Sequence, residues 1–282
     1  MRPFFIACNW KMNPQSAQSA TQLVRGVVRQ ANRALGEVVL FPPTVFLKAV
    51  IHEAGVKVKC GAQDVSAYQH GAYTGQISAN MLKHLGAAYV IVGHSERRLH
   101  EHETDLLVAQ KVARAFEQKL IPLVCVGETN RVSSEQAWRA VKKQLDAAIP
   151  LFKKFSKNKY VLAYEPVWAI DGPVSRFASG SSTRMPEDLT NKKDLANHYG
   201  VVDPKRAAEM IARIKLYFRA QIGRVPVVLY GGSVNGKSVR DLLHYDHLID
   251  GFLIGSASTQ VQTIISLIKT IYGKRSRKKG AL

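Results

Sequence analysis

Ala163-Tyr164-Glu165-Pro166-Val167-Trp168-Ala169-Ile170 is the stretch whose reading decides the fold of this chain. Tyr160, Val161 and Leu162 lead into it as an apolar, β-prone run. Pro166 fixes its own φ and disfavours helical backbone at the residue before it, so Glu165 is expected at a strand's end, where a carboxylate can face a pocket. Val167 to Ile170 follow as an apolar hinge, and then comes a loop rich in Gly, Pro and Ser with the makings of a lid. By itself a Glu at a strand exit is more often a solvated side chain, so its weight depends on what stands at the other exits.

Eight apolar, β-prone runs recur along the chain: Phe4 to Cys8, Val38 to Phe41, Lys57 to Ala62, Tyr89 to Gly93, Pro122 to Val126, Tyr160 to Tyr164, Val225 to Tyr230 and Gly251 to Ile254. Most are followed by a turn and then a helical pattern. Leu23, Val24, Val27, Val28, Ala31 and Leu35 mark one apolar stripe, Leu106 to Phe116 a second and Ala137 to Ile149 a third. Asp203-Pro204 reads as an N-cap with proline at the first helical position, ahead of the apolar face Met210, Ile211, Ile214, Tyr217 and Phe218. Val261 to Ile271 is expected as the last helix. Such alternation implies parallel strands joined by right-handed crossovers, and eight units favour an α/β class (β/α)8 barrel over an open sheet.

A chain of 282 residues with 46% hydrophobic content suits one large core, and residues 1–273 are expected to form a single domain. Within it, 171–202 exceeds an ordinary βα connection and reads as an atypical lid or insertion, with Pro186 to Tyr199 a short polar helix capped by Thr183. The formal charge of +19 includes a basic tail, Lys274 to Lys279, and 274–282 is expected to be disordered because that run has no apolar residue to bury. The other Lys and Arg residues are interspersed with acids, without the aromatic interleaving of a single-strand-binding groove, so nucleic acid is not expected beyond a weak contact by the tail. Cys8, Cys60 and Cys125 have neither a disulfide pattern nor metal-ligand spacing. The short apolar start fits neither a signal segment nor a membrane span, and a cytoplasmic protein is expected.

Functional groups of a parallel barrel come from the C-terminal ends of its strands. The first exit carries Asn9 and Lys11, two residues apart and therefore on one face of extended chain. The fourth carries His94, with Ser95 as the expected cap of a short helix whose positive end favours a neutral imidazole. The sixth carries Glu165. The seventh and eighth carry Gly231-Gly232-Ser233 and Gly255-Ser256, small residues that let backbone N–H groups converge on an anion. A base, a neutral donor, a cation and an N–H cradle suit chemistry on a small phosphorylated substrate, and no cofactor or metal motif accompanies them.

The motifs Asn9-Trp10-Lys11-Met12-Asn13, Gly93-His94-Ser95-Glu96-Arg97-Arg98, Ala163 to Ile170, Tyr230-Gly231-Gly232-Ser233-Val234 and Gly251-Phe252-Leu253-Ile254-Gly255 together resemble triosephosphate isomerase, in the family's order over nearly the whole chain. The resemblance implies a cofactor-free isomerase of glycolysis and gluconeogenesis that interconverts dihydroxyacetone phosphate and D-glyceraldehyde 3-phosphate through an enediolate. It assigns Glu165 as the base, His94 and Asn9 as donors to the carbonyl oxygen, Lys11 as the cation, and Glu96 as the acid that orients them. Ser233, Gly255 and Ser256 are implied to bind phosphate. Gln63 to Gln76 resembles the loop that docks into a partner subunit, implying a homodimer.

Several residues depart from the family pattern. Asp171-Gly172-Pro173-Val174 stand where the family usually has Gly-Thr-Gly-Lys, so either Asp171 and Gly172 present the lid's tip N–H groups or Gly180, Ser181 and Ser182 do. A lid that fails to seal would release methylglyoxal in place of triose product. Asp64 and Gln76 stand where Asn and Glu are usual, which leaves Arg97 without its usual acidic partner. The competing expectations are an isomerase of a longer phosphosugar such as a tetrulose phosphate, admitted by a wider pocket, and a non-catalytic phosphosugar or nucleic-acid-binding relative.

Overall fold

The computed structural model describes residues 3–31, 36–170 and 202–279, the last six of these by their backbone alone. Eight parallel strands close into a barrel in chain order: β1 (Phe4–Asn9), β2 (Gly36–Phe41), β3 (Lys59–Ala62), β4 (Tyr89–Val92), β5 (Ile121–Val126), β6 (Val161–Tyr164), β7 (Val227–Tyr230) and β8 (Gly251–Ile254). β1 closes the ring by pairing with β2 through Phe4↔Gly36 to Asn9↔Phe41 and with β8 through Phe5↔Gly251 to Cys8↔Ile254. Closure leaves no edge strand with unpaired backbone groups. The expected (β/α)8 architecture is therefore present.

Three strands start later than the sequence pattern suggests, β6 by one residue at Val161. β3 begins at Lys59, where pairing with Val39 begins, and β7 begins at Val227 because Pro226 has no N–H to give a ladder. β4 stops at Val92, since Gly93 adopts φ 69°, a left-handed conformation that a strand does not contain.

Nine α-helices flank the ring among the described residues: α1 (Ala17–Gln30), α2 (Leu47–Ala54), α3 (Ala79–His84), α4 (Ser95–His100), α5 (Asp105–Glu117), α6 (Ser134–Lys154), α7 (Pro204–Ile222), α8 (Gly236–Leu242) and α9 (Val261–Lys279). Their caps are encoded locally. Ser16 accepts from the Ser19 N–H ahead of α1, Ser133 and Gln136 form a reciprocal capping box ahead of α6, and Asp203 accepts from the Lys205 N–H with Pro204 opening α7. The helix of α1 ends at Gln30 with Ala31 as C-cap, so the expected stripe stops short of Leu35, which lies outside the described residues.

α9 also departs from expectation. Its helical backbone continues through Lys279, across the basic run that sequence reading leaves disordered. Lys and Arg are good helix formers, and cations in a last turn oppose the negative end of the helix dipole, so extension does not require buried apolar side chains.

The alternation of side chains along each strand builds two cores. Phe5, Ala7, Val39, Phe41, Tyr89, Ile91, Leu123, Cys125, Val161, Ala163, Leu229 and Leu253 fill the barrel, while Phe4, Ile6, Cys8, Val38, Leu40, Val90 and Val92 point outward beneath the helices. The inward series sets the next layer. Two residues beyond Ala7, Gly61, Cys125, Ala163, Leu229 and Leu253 come Asn9, Gln63, Gly127, Glu165, Gly231 and Gly255, all at the C-terminal mouth.

Candidate active site

One cavity at that mouth is lined by Asn9, Lys11, His94, Glu165, Ile170, Gly231, Gly232, Ser233, Gly255 and Ser256, among others. Every site residue read from the sequence at the five strand exits is thus brought to a single hollow. Glu96 stands in the adjoining hollow with Asn9, Lys11, His94 and Arg97. Asp171 and Gly172, with the alternative tip Gly180 to Ser182, Thr183 and the helix expected at Pro186 to Tyr199, lie outside the described residues.

Lys11 sits at φ 53°, a left-handed conformation that costs a non-glycine residue about 1–3 kcal/mol. Its neighbours hold it there. The Lys11 N–H donates to Asn9 Oδ1 at 3.0 Å, and Gln63 Nε2 donates to the carbonyls of Lys11 and Phe41, each at 2.8 Å. The turn re-aims the side chain so that Nζ meets Glu96 Oε1 at 2.6 Å. Burial pushes the Glu96 carboxyl up, but the positive charges facing it, His94 when protonated, Lys11 and His100, outweigh that and hold it below the ordinary glutamate value.

His94 is itself the N-cap of α4, which corrects the expectation that Ser95 would be. The turn at Gly93 rotates His94 so that Nδ1 accepts the Glu96 N–H at 3.2 Å, while the buried Ser95 hydroxyl has no partner. An Nδ1 that accepts carries no proton, so a neutral ring keeps its hydrogen on Nε2. That nitrogen lies 3.2 Å from Glu165 Oε1, and the other carboxylate oxygen, Oε2, accepts the Ser95 N–H at 3.1 Å. Both side chains are buried, Glu165 at 2% exposure and His94 at 6%.

The glycines are fixed by close approach. A Cβ on Gly231 would stand 2.9 Å from Glu165 Cγ, and one on Gly255 would stand 3.2 Å from Lys11 Cε. Small residues at these two exits are what let the carboxylate and the ammonium share the mouth. Ser256 begins a 3-10 turn (Ser256–Thr259), and it is not among the residues with positive φ, so its side chain costs the backbone nothing there. Ser233 is already engaged: its N–H and its Oγ–H both donate to the Ala169 carbonyl, at 3.1 and 2.7 Å. An anion bound at the Ser233 N–H therefore has to displace the hinge carbonyl.

Sequence reading missed Glu128, at the exit of β5. It is buried, its carbonyl accepts the Val167 N–H at 3.0 Å, and its Oε1 accepts both Tyr164 Oη–H at 3.0 Å and Trp168 Nε1–H at 2.9 Å. Burial raises its pKa, partly offset by those two donors and by the Arg206 guanidinium. It pins the 3-10 turn Val167–Ala169 just beyond Glu165. The signal available was its position two residues past Val126, the end of β5.

Arg97, expected to lack its usual acidic partner because position 76 is Gln, pairs with other acids of the chain. Arg97 Nε pairs with Glu103 Oε1 at 2.6 Å, and an Nη atom pairs with Asp64 Oδ2 at 3.0 Å. Buried Lys111 joins the same two carboxylates, so Asp64 belongs to a four-residue charge cluster within the chain. No group of three or more His, Cys, Asp or Glu suited to a metal ion occurs among the described residues.

The family model described as triosephosphate isomerase matches residues 4–178 and 199–271. Proteins with that same name are similar over almost the whole chain. The one from Coprinopsis cinerea is 37% identical over 265 residues, covering 93% of this chain and 96% of its own length. Those from Acidithiobacillus ferrooxidans and Thermus thermophilus are each 35% identical, covering 95% of this chain and 96% and 99% of their own.

Proposed function

The chain belongs to the triosephosphate isomerase family, and we infer that it interconverts dihydroxyacetone phosphate and D-glyceraldehyde 3-phosphate with the residues at its barrel mouth. It is an isomerase acting on a phosphorylated triose. The observation that carries the residue assignment is the 3.2 Å approach of His94 Nε2 to Glu165 Oε1 beside Lys11 and the Gly-Ser turns.

The reaction moves one proton between adjacent carbons and one between their oxygens. Glu165 takes the proton from the carbon beside the carbonyl and the electron pair shifts onto the carbonyl oxygen to give an enediolate; the hydroxyl proton passes to that oxygen, and the acid returns its proton to the former carbonyl carbon as the other oxygen forms the new carbonyl. His94 Nε2–H and the Asn9 amide donate to the oxygens on which charge develops, and Lys11 offsets that charge. Glu96 orients Lys11 through their 2.6 Å pair. Backbone N–H groups at Ser233, Gly255 and Ser256 bind the phosphate and so aim the reacting carbons at Glu165. Glu165 Oε2 accepts the Ser95 N–H, and Oε1 faces the same Nε2 that the carbonyl needs.

We further propose a homodimer in the cytoplasm. Tyr68 and Tyr73, half exposed, stack at 3.7 Å in the loop between Gln63 and Gln76, a rigid apolar tip suited to the open hollow of a second copy bounded by Met12, Thr44 and Gln63. The three cysteines are free and buried, as a reducing compartment permits, and no described helix is long and apolar enough to cross a membrane.

A coupled assay of the purified protein on D-glyceraldehyde 3-phosphate, beside Glu165→Ala, tests the reading. Turnover by the wild type and its loss in the variant are expected; equal turnover by both removes Glu165 from its role.

A further inference from the structure

The segment that carries the base, Tyr164 to Ala169, is gripped by Glu128 on one side and Ser233 on the other. One atom in that grip is left over: Glu128 Oε2 is buried with no hydrogen-bond partner. A half-satisfied buried carboxylate that has to hold two donors in place needs an electrostatic counterpart.

Two guanidinium groups flank the same hinge. Arg206, in the first turn of α7, has its Cζ 5.8 Å from the centre of the Trp168 ring, and Arg131, on the loop between β5 and α6, has its Cζ at 5.5 Å. Arg206 is half-buried, donates an Nη–H to the Val132 carbonyl, and has a buried Nε with no partner. It is also the cation whose charge acts on both Glu128 and Tyr164. The indole thus gives its N–H to a carboxylate and its π face to cations, an arrangement in which each contact polarises the ring in favour of the other. Arg206 also ties the loop after β5 to the helix that follows the long insertion, so the elements bordering the hinge are joined through one side chain.

We propose that Arg206 is a positioning residue for the isomerase reaction: with Arg131 it holds the Trp168 indole on Glu128, and thereby sets the hinge that aims the Glu165 carboxylate. Arg206 touches neither the cavity nor the site's reacting groups, so its effect passes through Trp168 and Glu128. The proposal rests on Glu165 as the base, and two separate readouts keep failure of one distinct from failure of the other.

The test is Arg206→Gln, Arg206→Lys and Arg131→Gln in protein carrying 5-fluorotryptophan, whose Trp168 resonance is assigned by its loss in Trp168→Phe. Expected for Arg206→Gln are a shifted Trp168 fluorine signal and a kcat about tenfold lower, because small misplacement of a reacting group is costly, with KM little changed. Arg206→Lys keeps the charge without the planar fork and recovers part of kcat. Arg131 is exposed, so Arg131→Gln leaves folding intact and shifts the same signal with a smaller loss of kcat. An unmoved fluorine signal, or a moved signal with unchanged kcat, in both glutamine variants overturns the proposal. If Glu165→Gln keeps full activity, the base assignment falls while the fluorine shift still reports the clamp.

Discussion

Nε2 of His94 lies 3.2 Å from Oε1 of Glu165, so the proposed electrophile and the proposed base face each other across the barrel mouth. The ring is oriented by the Glu96 N–H on Nδ1, and the carboxylate by the Ser95 N–H on Oε2. Both partners of this contact are therefore steered by the first turn of one short helix, α4.

His94→Ala removes the donor aimed at the carbonyl and the acceptor that caps α4. A kcat lower by about 10²–10³ is expected, the usual loss when one donor to a developing oxyanion is removed. Steady-state kinetics in both directions checks this; a loss below a few-fold places the polarising role elsewhere.

Gly127 is predicted to tolerate no side chain. A Cβ there would stand 1.7 Å from the Glu165 carbonyl oxygen, whereas one on Gly223, in the left-handed C-cap of α7, would meet nothing within 4 Å. Gly127→Ala is expected to destabilise by about 1–3 kcal/mol as overpacking does, and to lower kcat by displacing Glu165. Gly223→Ala is expected to cost about 1–2 kcal/mol from backbone strain alone and leave kcat unchanged. Urea unfolding with parallel assays separates the two effects.

Glu128 carries a pH signature whose sign follows from its raised pKa. Between the ordinary glutamate value and the raised folded value, the folded protein binds this proton more than the unfolded chain does. Its contribution to stability therefore falls as pH rises through that window. Glu128→Gln keeps an oxygen for Tyr164 and Trp168 but removes the ionisation, so the variant should lose this part of the slope and gain on the wild type as pH rises above the ordinary glutamate value. Urea midpoints across that range decide; parallel curves for the two proteins would remove Glu128 as the source.

Tyr73→Asp should weaken self-association by placing a charge at the tip of the loop that is proposed to enter a second copy. Light scattering on the wild type is expected to give twice the 31.2 kDa chain mass, and the variant a lower value at the same concentration. A wild type that is monomeric throughout the micromolar range removes the dimer.

Much of the site was legible because side-chain direction along a strand is a local property. The alternation that buries Ala7, Ala163, Leu229 and Leu253 inside the barrel continues into Asn9, Glu165, Gly231 and Gly255, so strand ends and chemistry-bearing residue types could be read together. Where the backbone leaves that period, local geometry departed from the reading even where the residue still reached the mouth. Gly93 turns left-handed and hands the capping role from Ser95 to His94, and Lys11 turns left-handed to reach Glu96. Glu128 went unread because nothing adjacent in sequence announces that Tyr164 and Trp168 will converge on it. The engagement of Ser233 with the Ala169 carbonyl likewise joins two strand exits that only closure brings together.

The sequence by itself determined the eightfold strand pattern, the cap of α7, and which residue types stand at the mouth, since periodicity and capping depend on neighbours a few positions away. Tertiary structure alone decided which nitrogen of His94 faces Glu165, which acids hold Arg97, and what pins the hinge, because those contacts join groups far apart in the chain and exist only once the barrel has closed.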